Sequence, residues 1–181
     1  MKKSFFVLAA FIFSFSVFAK NISIDSTPVN PSDVSSVDAI IKSVYDVISG
    51  PAGQTRNWDR MRTLFIQDAR LIPTGKNQTT GEFTIRPLKL EDYLKTAGPY
   101  LEKNGFFESE IGRTTEQYGN IIQVFSSYES RKIATDEKPF MRGINSFQLW
   151  NDGKRWWIVT IFWQSETPDN PIPEKYIGQK N

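Results

Sequence analysis

The stretch RGINSFQLWNDGKRWWIVTIFWQSE, residues Arg142 to Glu166, carries the strongest structural signal in the chain. Two runs rich in aromatic and β-branched residues flank Asn151-Asp152-Gly153. This tripeptide predicts a hairpin turn, because glycine tolerates the positive φ of a tight turn. The runs are apolar at nearly every position, whereas a half-exposed hairpin alternates apolar with polar residues. The pattern therefore predicts a hairpin that is covered on both faces.

Pairing directly across this turn divides the hairpin side chains between two faces. One face receives Asn145, Phe147, Leu149, Trp156, Ile158, Thr160 and Phe162. The other receives Ile144, Ser146, Gln148, Trp150, Trp157, Val159, Ile161 and Trp163. A longer, bulged turn shifts this register by one residue, and the sequence leaves that alternative open.

Residues 1–19 are typical of a secretory signal peptide. Lys2 and Lys3 precede an apolar run from Phe5 to Ala19, which ends in the small residues of a cleavage site. The alternative is a membrane anchor, but that needs roughly 20 apolar residues, more than this run provides. We therefore expect cleavage after Ala19 and secretion, into a bacterial periplasm, with no membrane association afterwards.

Composition excludes several kinds of partner and chemistry. Without Lys2 and Lys3, 20 of the 22 basic residues remain and balance the 20 acidic ones, and they are scattered rather than clustered. This argues against a nucleic-acid partner. The chain has no cysteine and no histidine, which excludes disulfides, Ser-His and Cys-His nucleophile pairs and the usual zinc sites. The glycines form no phosphate-binding motif, so we expect no metal and no cofactor.

The region after the signal peptide predicts an extended leader, residues 20–33, and then helices. Ser32 or Asp33 is expected to cap the first helix, which Gly50-Pro51 stops. Asn57 is expected to cap a second helix. The first helix buries a stripe at helical spacing formed by Val37, Ile40, Ile41, Val44, Val47 and Ile48.

A third helix and a set of strands complete the predicted elements. The helix begins near Leu90 and ends at Gly105, with Pro99 expected to kink or interrupt it. From Phe106 onward, a period-two pattern predicts three or four long strands. The last residues, 167–181, form a Pro-rich tail that cannot add a central strand.

Helices followed by an antiparallel meander indicate an α+β fold. In the stretches WDRMRTLFIQDARL, RGINSFQLW and DGKRWWIV, the chain resembles the nuclear-transport-factor-2-like superfamily, which includes SnoaL-like cyclases and ketosteroid-isomerase-like proteins. The resemblance covers about Val34 to Gln164. It implies a domain, residues 34–166, in which three N-terminal helices pack on a strongly curved, mostly antiparallel β-sheet and form a conical cavity.

The resemblance also implies that the hairpin face carrying Trp156 lines the cone. The ligand-binding residues expected on this basis are Trp58, Tyr128, Arg142, Asn145, Phe147, Ile158, Thr160 and Phe162. Asn145 and Thr160, opposite each other in the expected register, would orient a ligand in a mostly apolar pocket or instead hydrogen-bond to each other. Arg142 would meet an anionic group or neutralise a nearby carboxylate such as Glu129.

The opposite hairpin face is too apolar for a solvent-exposed surface. The residues concerned are Trp150, Trp157, Ile161 and Trp163. We expect a homodimer through this face, which matches the way that members of the superfamily often pack against a second copy. Two alternatives remain open at this point: the Pro-rich tail folds over the face, or a different protein binds it.

The resemblance offers no general base for catalysis. Ketosteroid-isomerase-like proteins keep a proton-abstracting aspartate a few residues after the Asp-Ala turn, and that position falls on or near Pro73. A buried glutamate with a raised pKa would serve as the base instead, and Glu108, Glu110 and Glu129 are placed for this role, but they also suit ion pairs with nearby arginines. Asp68 and Glu110 remain as candidates, although Asp68 suits a turn cap. The favoured hypothesis is an exported dimer that binds a small, largely apolar molecule without turnover. The alternatives are an isomerase, cyclase or dehydratase that uses a cavity carboxylate, and a protein–protein interaction module.

Overall fold

The structure, a computed structural model, describes residues 28–77 and 79–178. The predicted signal peptide and the first part of the leader lie outside these residues. The end of the leader is not extended, because Pro31 begins a one-turn helix that the Asn30 side chain caps. None of the helices in the described ranges is long and apolar enough to span a bilayer.

The α-helices of the described residues precede the last four strands in the chain. They are α1 (Pro31–Val34), α2 (Val37–Ile48), α3 (Trp58–Arg62) and α4 (Leu90–Asn104). The predicted apolar stripe of α2 is confirmed, since Ile40, Ile41 and Val44 are buried. The predicted caps are wrong for this helix: the Ser36 hydroxyl accepts a hydrogen bond from the Ala39 amide at 3.0 Å. Ser36 is the residue directly before the helical turn, where a cap acts.

The predicted cap of α3 and the predicted end of α4 are confirmed, whereas the interruption expected at Pro99 is not observed. The Asn57 side chain accepts a hydrogen bond from the Arg60 amide at 2.9 Å. Helix α4 continues through Pro99 and ends at Gly105, whose φ of 70° needs a residue without a side chain. It buries Leu94 and Leu101 on the face that meets the sheet.

The strands form one curved, open sheet of seven. They are β1 (Phe65–Lys76), β2 (Phe83–Ile85), β3 (Leu88–Lys89), β4 (Phe107–Tyr118), β5 (Ile121–Arg131), β6 (Met141–Asn151) and β7 (Trp156–Ser165). Their order is β2-β1-β7-β6-β5-β4, and β3 pairs with β1. All neighbours are antiparallel except β1 and β7, which run parallel. The fold is therefore α+β, with a mixed sheet whose inner face the helices cover.

The hairpin register predicted from direct pairing across the turn is wrong. A β-bulge lies between Gln148 and Leu149 on β6, opposite Ile158 and Thr160 on β7, and places an extra residue in β7. The observed pairs beyond the bulge are Gln148 with Thr160, Phe147 with Ile161, Ser146 with Phe162 and Asn145 with Trp163. An extra residue reverses every later side chain, because strands alternate with period two.

The bulge exchanges the faces of the second half of β7. Thr160 and Phe162, expected to face the cavity, lie on the outer face of the sheet, whereas Ile161 and Trp163 face inward. Asn145 and Thr160 are therefore not opposite each other. Before the bulge the prediction holds: Ile158 is fully buried in the core on the helix side.

The outer face does not present the predicted patch of tryptophans. Trp157 is buried, with the Arg155 guanidinium 3.6 Å from the centre of its ring, and Trp163 faces inward. The C-terminal segment crosses strands β4 and β5, where the rings of Tyr176 and Phe125 lie 5.7 Å apart. The tail therefore packs on the outer face at strands β4 and β5, as the alternative of a folded tail expected.

Candidate functional site

The curved sheet and the helices enclose a cavity of about 220 Å³. Its lining comes from α2, α3, α4 and the inner face of the sheet. The lining residues are Val44, Ile48, Met61, Leu71, Tyr93, Tyr100, Leu101, Phe106, Glu108, Tyr128, Met141, Asn145, Phe147, Ile161 and Trp163. Tyr100 is 54% exposed, so the cavity reaches the surface beside α4. This is an apolar, largely aromatic pocket with few polar groups.

Glu108 is the one charged side chain in this lining. It stands near the start of β4, and its two carboxylate oxygens each accept a hydrogen bond. The Ser130 hydroxyl donates to one oxygen at 2.9 Å, and the Asn145 amide nitrogen donates to the other at 3.3 Å. Ser130 lies on β5, which pairs with β4, and Asn145 lies on β6, the next strand of the sheet, so the sheet itself fixes the carboxylate.

Burial changes the proton affinity of the groups in the cavity. Desolvation raises the pKa of Glu108 to about 7, and the hydrogen bonds from Ser130 and Asn145 oppose the rise. Burial also raises the pKa of Tyr128 to about 12 and that of Tyr93 further above its ordinary value. The tyrosines therefore stay neutral at physiological pH, while Glu108 titrates close to it.

A hydrogen-bond network continues from Glu108 into helix α2. The second hydrogen of the Asn145 amide is directed to the Tyr45 hydroxyl at 3.1 Å, and this hydroxyl lies 2.7 Å from that of Ser126. Ser126 in turn donates to Glu110 at 2.6 Å. Asn145 thus bridges the cavity carboxylate and a buried polar layer behind it.

Three of the sequence-predicted ligand residues line the cavity: Tyr128, Asn145 and Phe147. The other five do not. Ile158 is enclosed in the core, and Thr160 and Phe162 lie on the outer face because of the bulge.

The side chains of Trp58 and Arg142 form contacts outside the cavity. The Trp58 indole nitrogen donates to Glu102 at 3.0 Å, and the ring lies against Gly98 of helix α4. The Arg142 guanidinium pairs with Glu166 at 3.4 Å. Arg142 therefore neutralises a carboxylate, as one alternative expected, but the partner is Glu166 and not Glu129, which pairs with Arg131.

Neither predicted catalytic carboxylate lines the cavity. Asp68 is exposed on β1. Glu110 forms a two-bond ion pair with Arg113 at 2.7 and 2.8 Å, and the Arg113 guanidinium also contacts Asp38. This group lies in a polar groove between α2 and β4, on the other side of Glu108, which lines both the groove and the cavity. Pro73 pairs with Trp163, on the inner side of β1.

Sequence reasoning considered Glu108 as a base but favoured an ion pair for it, and did not place it among the cavity residues. Within the described part of the chain, no ion pair includes it. The signal lay on the neighbouring strand, where the inward positions of β5 are Ile122, Val124, Ser126, Tyr128 and Ser130. Small hydroxyl residues that interrupt an apolar face mark the place where a buried polar group needs donors.

The described residues hold no cluster of three or more acidic side chains placed to bind a metal ion. The cavity groups that remain available for chemistry are one carboxylate, one amide and the neutral phenols.

Comparison with known proteins places the fold. No protein-family model and no curated protein matches the chain. Among solved structures, an NTF-2-like protein of unknown function from Silicibacter pomeroyi DSS-3 aligns with a TM-score of 0.50 at 12% identity, covering 73% of this chain and 94% of that one.

Two further NTF2-like proteins of unknown function align at lower TM-scores. The one from Shewanella baltica OS155 has a TM-score of 0.43 and 11% identity, over 71% of this chain and 89% of its own. The one from Methylobacillus flagellatus KT has a TM-score of 0.42 and 16% identity, over 73% and 95%. Identities of this size concern the fold alone. The curved sheet, the covering helices and the first of these alignments agree with the resemblance in the sequence: the protein has the nuclear-transport-factor-2-like fold.

Proposed function

We propose that the protein binds a small, largely apolar molecule in the cone cavity, with one polar group of that molecule held by Glu108 and Asn145. The observation that carries this proposal is the composition of the cavity lining, in which aromatic and aliphatic side chains surround a single hydrogen-bonded carboxylate. Ligand sites combine an apolar wall with a few fixed polar groups in this way, because the wall supplies affinity and the polar groups set the orientation.

The volume of the cavity limits the size of the ligand. A cavity of roughly 150 Å³ holds one benzene molecule, so about 220 Å³ suits one ring with a short substituent. We therefore expect a ligand of roughly eight to ten non-hydrogen atoms, scaled from the benzene case.

A thermal shift titration tests this proposal. Single-ring aromatic compounds at about ten times their dissociation constant are expected to raise the unfolding temperature by about 3–6 °C, because a ligand that binds only the folded state stabilises it. Leu101→Phe places three further carbon atoms in the cavity and should remove the shift. Leu101→Met, which conserves volume, should keep it. Equal shifts in the two variants would contradict binding in the cavity.

A second function is favoured by one observation. A carboxylate whose pKa lies near 7 is suited to accept a proton from a bound substrate, and Glu108 is placed against the ligand space. An isomerase or related enzyme would use Glu108 in place of the aspartate that the resemblance puts at Pro73. Mass spectrometry of compounds that give a thermal shift separates the two functions, because an enzyme alters the compound and a binding protein returns it unchanged.

We also propose that the chain is exported and forms a homodimer, through a different part of the outer face from the one predicted. Phe162, Ile85 and Phe83 are 41%, 61% and 78% exposed. The strand pairing puts Phe162 of β7 and Ile85 and Phe83 of β2 on the same outer face of the sheet. Phe162 also lines a groove beside the tail residues Ile172 and Pro173. Contiguous exposed apolar side chains favour association.

Sedimentation velocity tests the dimer. The purified protein is expected to sediment as a dimer, and Phe162→Lys as a monomer with an unchanged circular dichroism spectrum, because a charge in an apolar contact is costly. Lys95→Glu on the exposed side of α4 serves as the control. A wild-type monomer at micromolar concentration would exclude the dimer and favour a tail-covered face or another protein partner.

A further inference from the structure

The charge balance of the cavity is incomplete. Glu108 carries the only formal charge in the lining, and none of the ion pairs among residues 28–77 and 79–178 compensates it. Its hydrogen-bonding partners are Ser130 and Asn145, both neutral. A carboxylate taken out of water is costly unless it is paired. The cavity therefore offers a negative charge to whatever enters it.

The geometry around Glu108 favours a ligand group that donates hydrogen bonds over one that accepts them. The Ser130 hydroxyl and the Asn145 amide both donate to the carboxylate, one to each oxygen. Each carboxylate oxygen has a second acceptor position. A ligand group with several N–H hydrogens would use the remaining positions, whereas a second carboxylate or phosphate would be repelled.

The rest of the cavity wall also suits a positive charge. Rings of Tyr93, Tyr128, Phe147 and Trp163 line it, and those of Tyr93 and Trp163 meet edge to face with centroids 6.1 Å apart. Aromatic faces attract cations through their quadrupole, most strongly in a desolvated site. No lysine or arginine of the described chain is among the lining residues to repel such a group.

We propose that the ligand of this cavity is a small organic amine in its ammonium form, with the ammonium group at Glu108 and an apolar ring or chain against the aromatic wall. This inference rests on the proposed binding function and specifies its ligand class. The binding step involves no covalent change. The ammonium hydrogens replace water at the carboxylate, and the apolar part displaces water from the remainder of the cavity.

Three probes of nearly equal size test the proposal by isothermal titration calorimetry at about pH 8: benzylamine, benzyl alcohol and benzoate. Hydrogen bonds between charged groups contribute about 1.5–3 kcal/mol, equivalent to roughly ten- to hundredfold in affinity. We expect benzylamine to bind at least about tenfold tighter than benzyl alcohol, and benzoate to bind weakest. Glu108→Gln should bring the affinities for benzylamine and benzyl alcohol within about twofold. Glu116→Gln, an exposed position on the same strand, should leave the preference unchanged.

The wild-type protein provides a second readout that needs no variant. Lowering the pH from about 8 to about 5.5 should weaken benzylamine binding about tenfold, because protonation of Glu108 removes the charge. The titratable groups on the cavity side of Glu108 are Tyr45 from α2, Tyr93 from α4 and Tyr128 from β5. On the side of the groove between α2 and β4, the charged groups are Asp38, Lys42 and Asp46 of α2 and Glu110 and Arg113 of β4. The tyrosines stay neutral over this range.

The outcomes separate this inference from the function on which it rests. Benzyl alcohol bound as tightly as benzylamine would overturn the ammonium proposal and leave cavity binding in place. A benzylamine preference that survives in Glu108→Gln, or that is constant with pH, would also overturn it. Failure of all three probes to bind, together with no thermal shift from other single-ring compounds, would overturn both proposals.

Discussion

Replacement of Arg56 by methionine is expected to lower the free energy of unfolding by about 3–5 kcal/mol. Arg56 is 5% exposed, and its guanidinium ties together the end of α2, the loop that follows it and the end of α4. It donates to five backbone carbonyls at 2.5–3.3 Å, those of Ile48, Gly50, Pro51, Gln54 and Leu101. Among the described residues, no other side chain donates a hydrogen bond to these carbonyls.

The cost arises from acceptors that lose their donor. Methionine fills much of the same volume, but the Ile48 carbonyl would be left buried without a partner, and the Gly50 carbonyl would keep only the Phe106 amide. A buried polar group without a partner costs about 1–3 kcal/mol. The Arg56 guanidinium packs directly against Gly50, where a Cβ would lie 2.7 Å from it. Lysine has three donors in place of five, so Arg56→Lys should recover part of the loss.

Urea denaturation monitored by circular dichroism measures this effect. Arg86→Met is the matched control, since Arg86 is exposed and substitutions of this kind usually change stability by less than about 0.5 kcal/mol. Similar stabilities for Arg56→Met and Arg86→Met would show that water satisfies the carbonyls, and the interpretation of Arg56 as a structural clamp would then be wrong.

The sequence predicts the elements of this fold well where a local signal exists. The apolar spacing of α2, the Asn57 cap and Gly105 each follow from rules that act within one helical turn. The turn at Gly153, whose φ is 91°, is predicted for the same reason. Local chemistry determines these features, so a reading of the chain finds them.

The register of the hairpin is different, because a bulge depends on pairing between two strands. Nothing within Trp156–Ser165 marks Thr160 as the position after the extra residue. Its effect is nevertheless large: it moves Ile161 and Trp163 into the cavity and takes Phe162 out. One inserted residue thus changes which aromatic side chains a ligand would meet.

The sequence did not predict the environments of Glu108 and Arg56, for a related reason. A charged residue in a sequence is most often solvated or paired with an opposite charge, and a nearby Arg113 favoured that reading for Glu108. In the structure, Arg113 instead forms an ion pair with Glu110, two residues further along the strand from Glu108. The partners of Arg56 are backbone carbonyls, which every residue possesses. No pattern of side chains in the sequence therefore predicts them.

Replacement of Glu108 by glutamine is expected to stabilise the protein at about pH 8 and to have little effect near pH 4. In the folded chain, burial raises the pKa of Glu108 from 4.5 to about 7. Between these values the folded state holds a proton that the unfolded state has lost, so stability falls as the pH rises. The full difference corresponds to about 3 kcal/mol above pH 7, and glutamine has no such dependence.

Glutamine also suits the local hydrogen bonds. Its carbonyl oxygen accepts from the Asn145 amide, and its amide nitrogen donates to the Ser130 hydroxyl, which rotates to accept. Any change in packing alters the free energy of unfolding by the same amount at every pH, whereas the titration of Glu108 makes the free energy of unfolding depend on pH. The slope is therefore the signature of the buried carboxylate.

Denaturation of both proteins across this pH range isolates the slope. The stability of Glu108→Gln relative to wild type should increase by about 2–3 kcal/mol between pH 5 and pH 8. Asp33 and Asp152, whose pKa values are lowered, are present in both proteins, so their contributions cancel in the difference. Glu116→Gln should give a difference that is flat with pH. A flat difference for Glu108→Gln as well would mean that the cavity carboxylate is fully solvated, and its proposed role toward a ligand would lose its physical basis.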